Sequence, residues 1–215
     1  MPAPPAFADI SAEGIKLVPL RKTDNMDELI TDALFDRQDL RTAGLPRAEY
    51  EQCTFKSCDL SGIDLTGTVF DNCTFTGCNL SMAKLSGAAF RDVIFTDCKL
   101  LGLHFEQCSP FGLSFSFEQC VLNHSSFYQC KIRKTRFRNT QLQEVDFTEC
   151  DLTGALFDNC NCTDATFDRS ILDKADFRTA LNYSIDPEKN RLKKARFSLP
   201  EVLGLLHKYD IDIEK

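Results

Sequence analysis

The sequence holds no tryptophan, three methionines and three histidines. Nowhere does it run to the ~18 consecutive apolar residues that a membrane-spanning helix requires. His104, His124 and His207 are isolated, with no second histidine one helical turn away, so an HExxH zinc motif is excluded. GxGxxG, Walker and GxSxG patterns are absent as well, which removes the usual phosphate cradles and the nucleophile elbow. The stretch Met1–Phe7, MPAPPAF, lacks a basic segment followed by an apolar one and does not read as a signal peptide. A reducing cytoplasm is therefore the expected compartment, in which cysteines stay as thiols. The formal net charge of −7 favours solubility and argues against direct contact with nucleic acid or an anionic membrane.

What the chain does have is 18 phenylalanines and 11 cysteines in 215 residues. An odd cysteine count does not suit a closed disulfide framework. The positions of these residues are more telling than their number. From Phe35 a large apolar residue falls on every fifth position, through Leu40, Leu45, Tyr50, Phe55, Leu60 and onward to Phe105. Near Pro110 the pattern slips by two residues, and it resumes at Phe117, Leu122, Phe127 and Ile132. Two residues before each of these centres stands a mostly small residue, such as Cys53, Cys58, Thr68, Cys120, Ser125 or Ala155.

A period of five fits neither an α-helix at 3.6 residues per turn nor a strand at two. It fits a chain that turns a corner every five residues and sends two side chains inward each time. Sorting the centres by twenty yields columns of one residue type. Phe35, Phe55, Phe75, Phe95, Phe117, Phe137, Phe157, Phe177 and Phe197 form the first side. Leu40, Leu60, Leu80, Leu100, Leu122 and Leu142 form the second, and Leu45, Leu65, Leu85, Phe105, Phe127, Phe147 and Phe167 the third. Four corners make one coil, and about eight coils at ~4.8 Å give a column of roughly 40 Å. Both ends of such a column need caps. All eleven cysteines fall on inward positions, ten at the small site and Cys162 at a centre, and are expected to act as small buried hydrophobes rather than metal ligands. The Asp that recurs beside the centres suits a turn better than acid–base catalysis.

The segments CDLSG, CTFTG, CNLSM, VDFTE, CDLTG, ALFDN and KADFR resemble the repeats of the pentapeptide-repeat family. The resemblance covers about three quarters of the chain and implies an all-β, right-handed quadrilateral β-helix. Its expected organisation is an N-terminal extension and cap over residues 1–30, the solenoid over 31–197, and a capping helix and strand over 198–215.

Four features stand outside the repeat. Cys108–Phe117, CSPFGLSFSF, places Pro110 where a core residue belongs. It predicts a bulge at 108–117 that ejects Phe111 or Leu113, and Ser109, Pro110, Phe111, Gly112 and Leu113 are candidate partner contacts. Lys131, Arg133, Lys134, Arg136 and Arg138 form a basic run on outward positions of two adjacent sides, either a solvated face or a contact for an acidic partner, and too small a run to imply nucleic-acid binding in an acidic chain. Ser198 and Glu201 form a capping box ahead of the helical stripe Leu199, Val202, Leu203, Leu206, and Tyr209–Ile213 alternates like an edge strand. Thr23–Leu34 is a candidate capping helix.

The segment from Asp186 onward resembles the tail of the quinolone-resistance and albicidin-immunity subgroup. That resemblance implies a cytoplasmic homodimer joined end to end through Leu199, Val202, Leu203, Leu206, Tyr209, Ile211 and Ile213. It also implies a non-enzymatic role, without cofactor or metal, in which the rod binds DNA gyrase or topoisomerase IV and shields it from a poison by partial mimicry of DNA. The expected acidic face is Asp64, Glu106, Asp146, Glu149 and Asp168, diluted by Arg47, Lys84 and Arg169. A structural scaffold with an unrelated protein partner is the alternative.

Overall fold

The computed structural model describes residues 28–209 and 211–213. The chain winds as a parallel β-solenoid in which each coil sits on the one before, twenty residues later. On the first side, strands from Leu34–Asp36 to Leu156–Asp158 pair in parallel as a seven-stranded sheet. Phe35 faces Phe55, Phe55 faces Phe75, and Phe95 faces Phe117. On the fourth side Leu29–Thr31, Glu49–Glu51, Val69–Asp71 and Ala89–Arg91 form a four-stranded sheet. The second and third sides are narrower and carry single parallel bridges, such as Asp59 to Asn79 and Ser126 to Asp146.

The corners explain the five-residue repeat. Two residues after most centres the backbone enters the left-handed region, and among the described residues 20 of these positions are not glycine. Each costs about 1–2 kcal/mol for an L-residue. That cost is offset because each coil buries up to four large apolar side chains, at roughly 1.5–3 kcal/mol apiece. Where an Asp or Asn precedes a centre, its side chain builds the corner. Asp59 accepts from the Ser61 N–H at 3.0 Å and from its hydroxyl at 2.7 Å, and Asp151 and Asn161 do the same with Thr153 and Thr163.

The interior is the sorted column read from the sequence. Neighbouring rings from Phe35 to Phe197 stack with centroids 4.4–5.5 Å apart and stay within 20° of parallel. All eleven cysteines are free and buried. Most aim the thiol at the backbone: Cys73 Sγ donates to the Tyr50 carbonyl at 3.1 Å, and Cys98 Sγ to that of Phe75 at 3.4 Å. Ser125 and Ser170 occupy the same corner sites and make the same bond at 2.8 Å. Burial pushes the Cys130 and Cys160 thiols up to about 12.

Two expectations need correction. The candidate capping helix at Thr23–Leu34 does not form over its described part. Leu29–Thr31 and Leu34–Asp36 are the first strands, because Leu29 to Thr31 pair in register with Glu49 to Glu51 and bury Ile30. Thr23–Asp27, with the rest of the N-terminal extension, lies outside the described residues. The tail also differs from a capped helix and strand. It makes two 3-10 turns, Val202–Leu205 and His207–Tyr209, and residues 211–213 carry no strand pairing. The capping box is not made: the Glu201 carboxylate accepts from the Asn182 N–H at 3.3 Å. The Gly204 carbonyl is likewise taken by the Ile185 N–H at 2.9 Å, which ties the turn to the last coil instead of to a continuing helix.

Candidate interaction site

One coil is broken. Phe95 to Phe117 spans 22 residues where intact coils span 20, yet the strand Phe115–Glu118 still pairs in register with Val93–Thr96. The two extra residues are absorbed between Ser109, whose N–H bonds the Ala88 carbonyl at 2.8 Å, and Ser114, whose N–H bonds that of Phe90 at 2.9 Å. Pro110 has no N–H to give the ladder, and Gly112 (φ +70°) supplies the left-handed turn that closes the loop. Phe111 is thrown outward and is 84% exposed, whereas Leu113 folds back onto the core and is only partly exposed.

Ejecting a side chain leaves a gap in the fourth-side column between Phe90 and Ile132. Phe115 fills it. Its position is a corner site, held by Val93 in the coil below and Thr135 in the coil above, where only small residues otherwise fit. From there the ring reaches sideways to lie 5.2 Å from Phe105, 5.0 Å from Phe117 and 5.9 Å from Phe127. The second aromatic column also changes sides at this coil. Below it Tyr50, Phe70 and Phe90 stack on the fourth side; above it Phe105, Phe127, Phe147 and Phe167 stack on the third. Outside, the break opens a groove of about 670 Å³ bordered by Phe111, Leu113, Glu106, Tyr128 and Lys131. Glu106 accepts from His104 Nδ1 at 2.8 Å through one oxygen, while its other oxygen is buried without a partner.

The five acids expected on the third side do lie along it, but most are already engaged. Asp64 and Asp146 bond the N–H groups of Thr66 and Thr148 as corner builders. Asp64 also pairs with Lys84 at 3.9 Å, Glu149 with Arg169 at 2.9 Å, and Asp168 with Arg169 at 2.9 Å and Lys189 at 3.8 Å. Hydrogen bonds from Gln129 and then Arg169 hold the Glu149 carboxyl below the usual range. Such a ladder of pairs presents little uncompensated negative field. Among the described residues, no cluster of three or more His, Cys, Asp or Glu is placed to hold a metal ion, and no helix is long and apolar enough to cross a membrane.

The sequence profile of the pentapeptide repeat region matches residues 48–115 and again 103–177. The chain belongs to the pentapeptide-repeat family. Among solved pentapeptide-repeat and related structures, it is similar to full-length QnrB1, a plasmid-mediated fluoroquinolone resistance protein. The identity is 17%, with a TM-score of 0.51 over 86% of this chain and all of that one. At that identity the likeness speaks for the fold. HetL of the cyanobacterium Nostoc sp., a pentapeptide-repeat protein involved in heterocyst differentiation regulation, lies further off. It is 14% identical, with a TM-score of 0.32 over 83% of this chain and 90% of its own. No curated protein sequence matches.

At its far end this pentapeptide-repeat column is closed by Tyr183 and Ile185, both buried, with Leu205 and Phe197 against them. Gly204 lies so close to the Tyr183 ring and carbonyl that a Cβ there would collide with both. Lys208 pins the tail to the last coil, its Nζ 2.7 Å from both Asp186 and Glu188. Of the tail residues singled out in the sequence, Leu199 is 88% exposed, and Leu203, Tyr209, Ile211 and Ile213 are also exposed. Val202 and Leu206 are half-buried. The sequence reading missed Phe115, although a signal was present: a phenylalanine at a site where the period demands a small residue.

Proposed function

We propose that this protein is a non-enzymatic, cytoplasmic binding protein that engages a type II topoisomerase, DNA gyrase or topoisomerase IV, and protects it from a poison. The observation carrying this reading is the broken coil, where a straight, repetitive wall is interrupted by an exposed Phe111 beside a groove. Exposed aromatics next to a pocket are the usual anchors of protein interfaces. Family membership and the fold likeness to a fluoroquinolone resistance protein support the choice of partner. The third-side acids supply at most partial DNA mimicry, since most are paired within the ladder, so the loop Ser109–Leu113 is the principal contact. The exposed apolar tail supports an end-to-end homodimer. The test is a gyrase supercoiling assay with and without a quinolone or albicidin. Protection at micromolar protein, reduced by Phe111→Ala, is the expected result; neither protection nor inhibition would refute the reading.

A further inference from the structure

The basic run at 131–138 has a counterpart that stacking brings beside it. Residues 189–197 read KNRLKKARF, and three coils of twenty residues separate the two runs. Lys131, Arg133, Lys134 and Arg136 therefore share register with Arg191, Lys193, Lys194 and Arg196. The bridges show this directly: Lys131 to Asp151 to Ile171 to Arg191 climbs one side of the corner. Arg136 to Leu156 to Asp176 to Arg196 climbs the other. All eight cations are exposed. They make two ridges, about 14 Å apart at the inter-coil spacing, across the edge between the fourth and first sides.

The two coils between the ridges form a trough. Thr153, Gly154 and Leu156 are half-buried there, and Lys174 rises from it. Its acids are recessed: the side chains of Asp151, Asp173 and Asp176 are 7%, 15% and 15% exposed. Arg133, Arg191 and Arg196, which pair with them, are 65%, 67% and 64% exposed. The outermost layer is thus cationic even where charges pair. Lys131, Lys134, Arg136, Lys193 and Lys194 have no ion pair among the described residues.

We propose that this face binds the phosphate backbone of duplex nucleic acid. Three observations select that partner. The cations lie on a rigid, straight, regularly spaced surface, as a regular polyanion requires. The face exposes no aromatic, so it lacks both the anchors of a protein interface and the stacking platforms that hold single strands. The ridge separation of about 14 Å is close to the ~12 Å width of a major groove, so each ridge meets one strand while the recessed acids face the groove. The net charge of −7, which argued against nucleic acid at the level of composition, does not decide the matter. Screening over a Debye length of about 8 Å at physiological salt makes the charge of one face count for more than the net charge of the chain.

The test is fluorescence anisotropy of a labelled duplex of about 20 base pairs, titrated with the full chain at about 50 mM and about 200 mM salt. Saturable micromolar binding is expected, with a log–log salt slope near −4 to −5 for about five neutralised phosphates. Lys134→Glu combined with Lys193→Glu and Lys194→Glu weakens binding at least roughly tenfold at unchanged melting temperature. Lys56→Glu with Lys99→Glu, which alters exposed lysines elsewhere, changes it less than about twofold. Four outcomes overturn the proposal: no binding, equal loss in both variants, a single strand bound as tightly as the duplex, or poly-L-glutamate bound more tightly than the duplex. The last assigns the face to an acidic protein instead.

Discussion

The small residue two positions before each centre shows how one side chain serves both packing and hydrogen bonding. Cys98 fills a corner fully and still gives its thiol hydrogen to the Phe75 carbonyl, as Ser125 gives its hydroxyl to that of Leu100. Cys98→Ser should thus cost no more than about 1 kcal/mol in urea unfolding, because the bond survives the exchange. Cys98→Leu should cost about 1–3 kcal/mol by overpacking the same corner. The carboxylates before the centres carry a pH dependence. Hydrogen bonds from Ser61, Thr66 and Arg178 lead the causes that depress Asp59, Asp64 and Asp176 below the ordinary value. A depressed folded-state pKa contributes stability that is present above the unfolded value near 3.9 and lost as pH falls through the folded one. Thermal melting should therefore be flat above about pH 5 and fall steadily below about pH 4.

The broken coil separates two jobs within one segment. Phe115 repairs the core, so Phe115→Ala should cost about 3–5 kcal/mol and lower the melting temperature. Phe111, almost fully exposed, repairs nothing. Phe111→Ala should leave melting unchanged and lower only partner binding, which calorimetry and the supercoiling assay read separately. The tail divides in the same way. Gly204→Ala forces a Cβ into Tyr183 and should loosen the cap, seen as faster amide exchange at Ile185. Leu203→Asp with Leu206→Asp leaves the Gly204–Ile185 bond in place and should convert an end-to-end dimer to a monomer by light scattering. An unchanged dimer would refute the assignment of the tail.

At the scale of the whole rod, coils that contact only their neighbours translate sequence distance into height. Residues twenty apart touch, and residues sixty apart stand three coils from one another on the same face. This rule turned nine separate phenylalanines into one column, and it also turned two basic runs into one surface. Most of the fold was legible for that reason, since inward positions are fixed by a period that survives in the text. The site was legible only in part. Pro110 announced the break, and the tail leucines announced an exposed apolar end. The charge of the third-side acids could not be weighed until Arg169, Lys84 and Lys189 were seen beside them.

By itself the sequence determined the repeat, the identity of three core columns, the buried state of every cysteine and the place of the interruption. Each follows from a local pattern that stacking merely repeats. Only the tertiary structure decided which ring fills the gap left by the ejected Phe111, because that choice depends on the reach of Phe115 across a corner. It also decided that the tail turns as 3-10, since Gly204 is bonded to Ile185 from an earlier coil. Finally, it decided which charges are recessed and which stand out, a matter of depth at the surface that no linear spacing records.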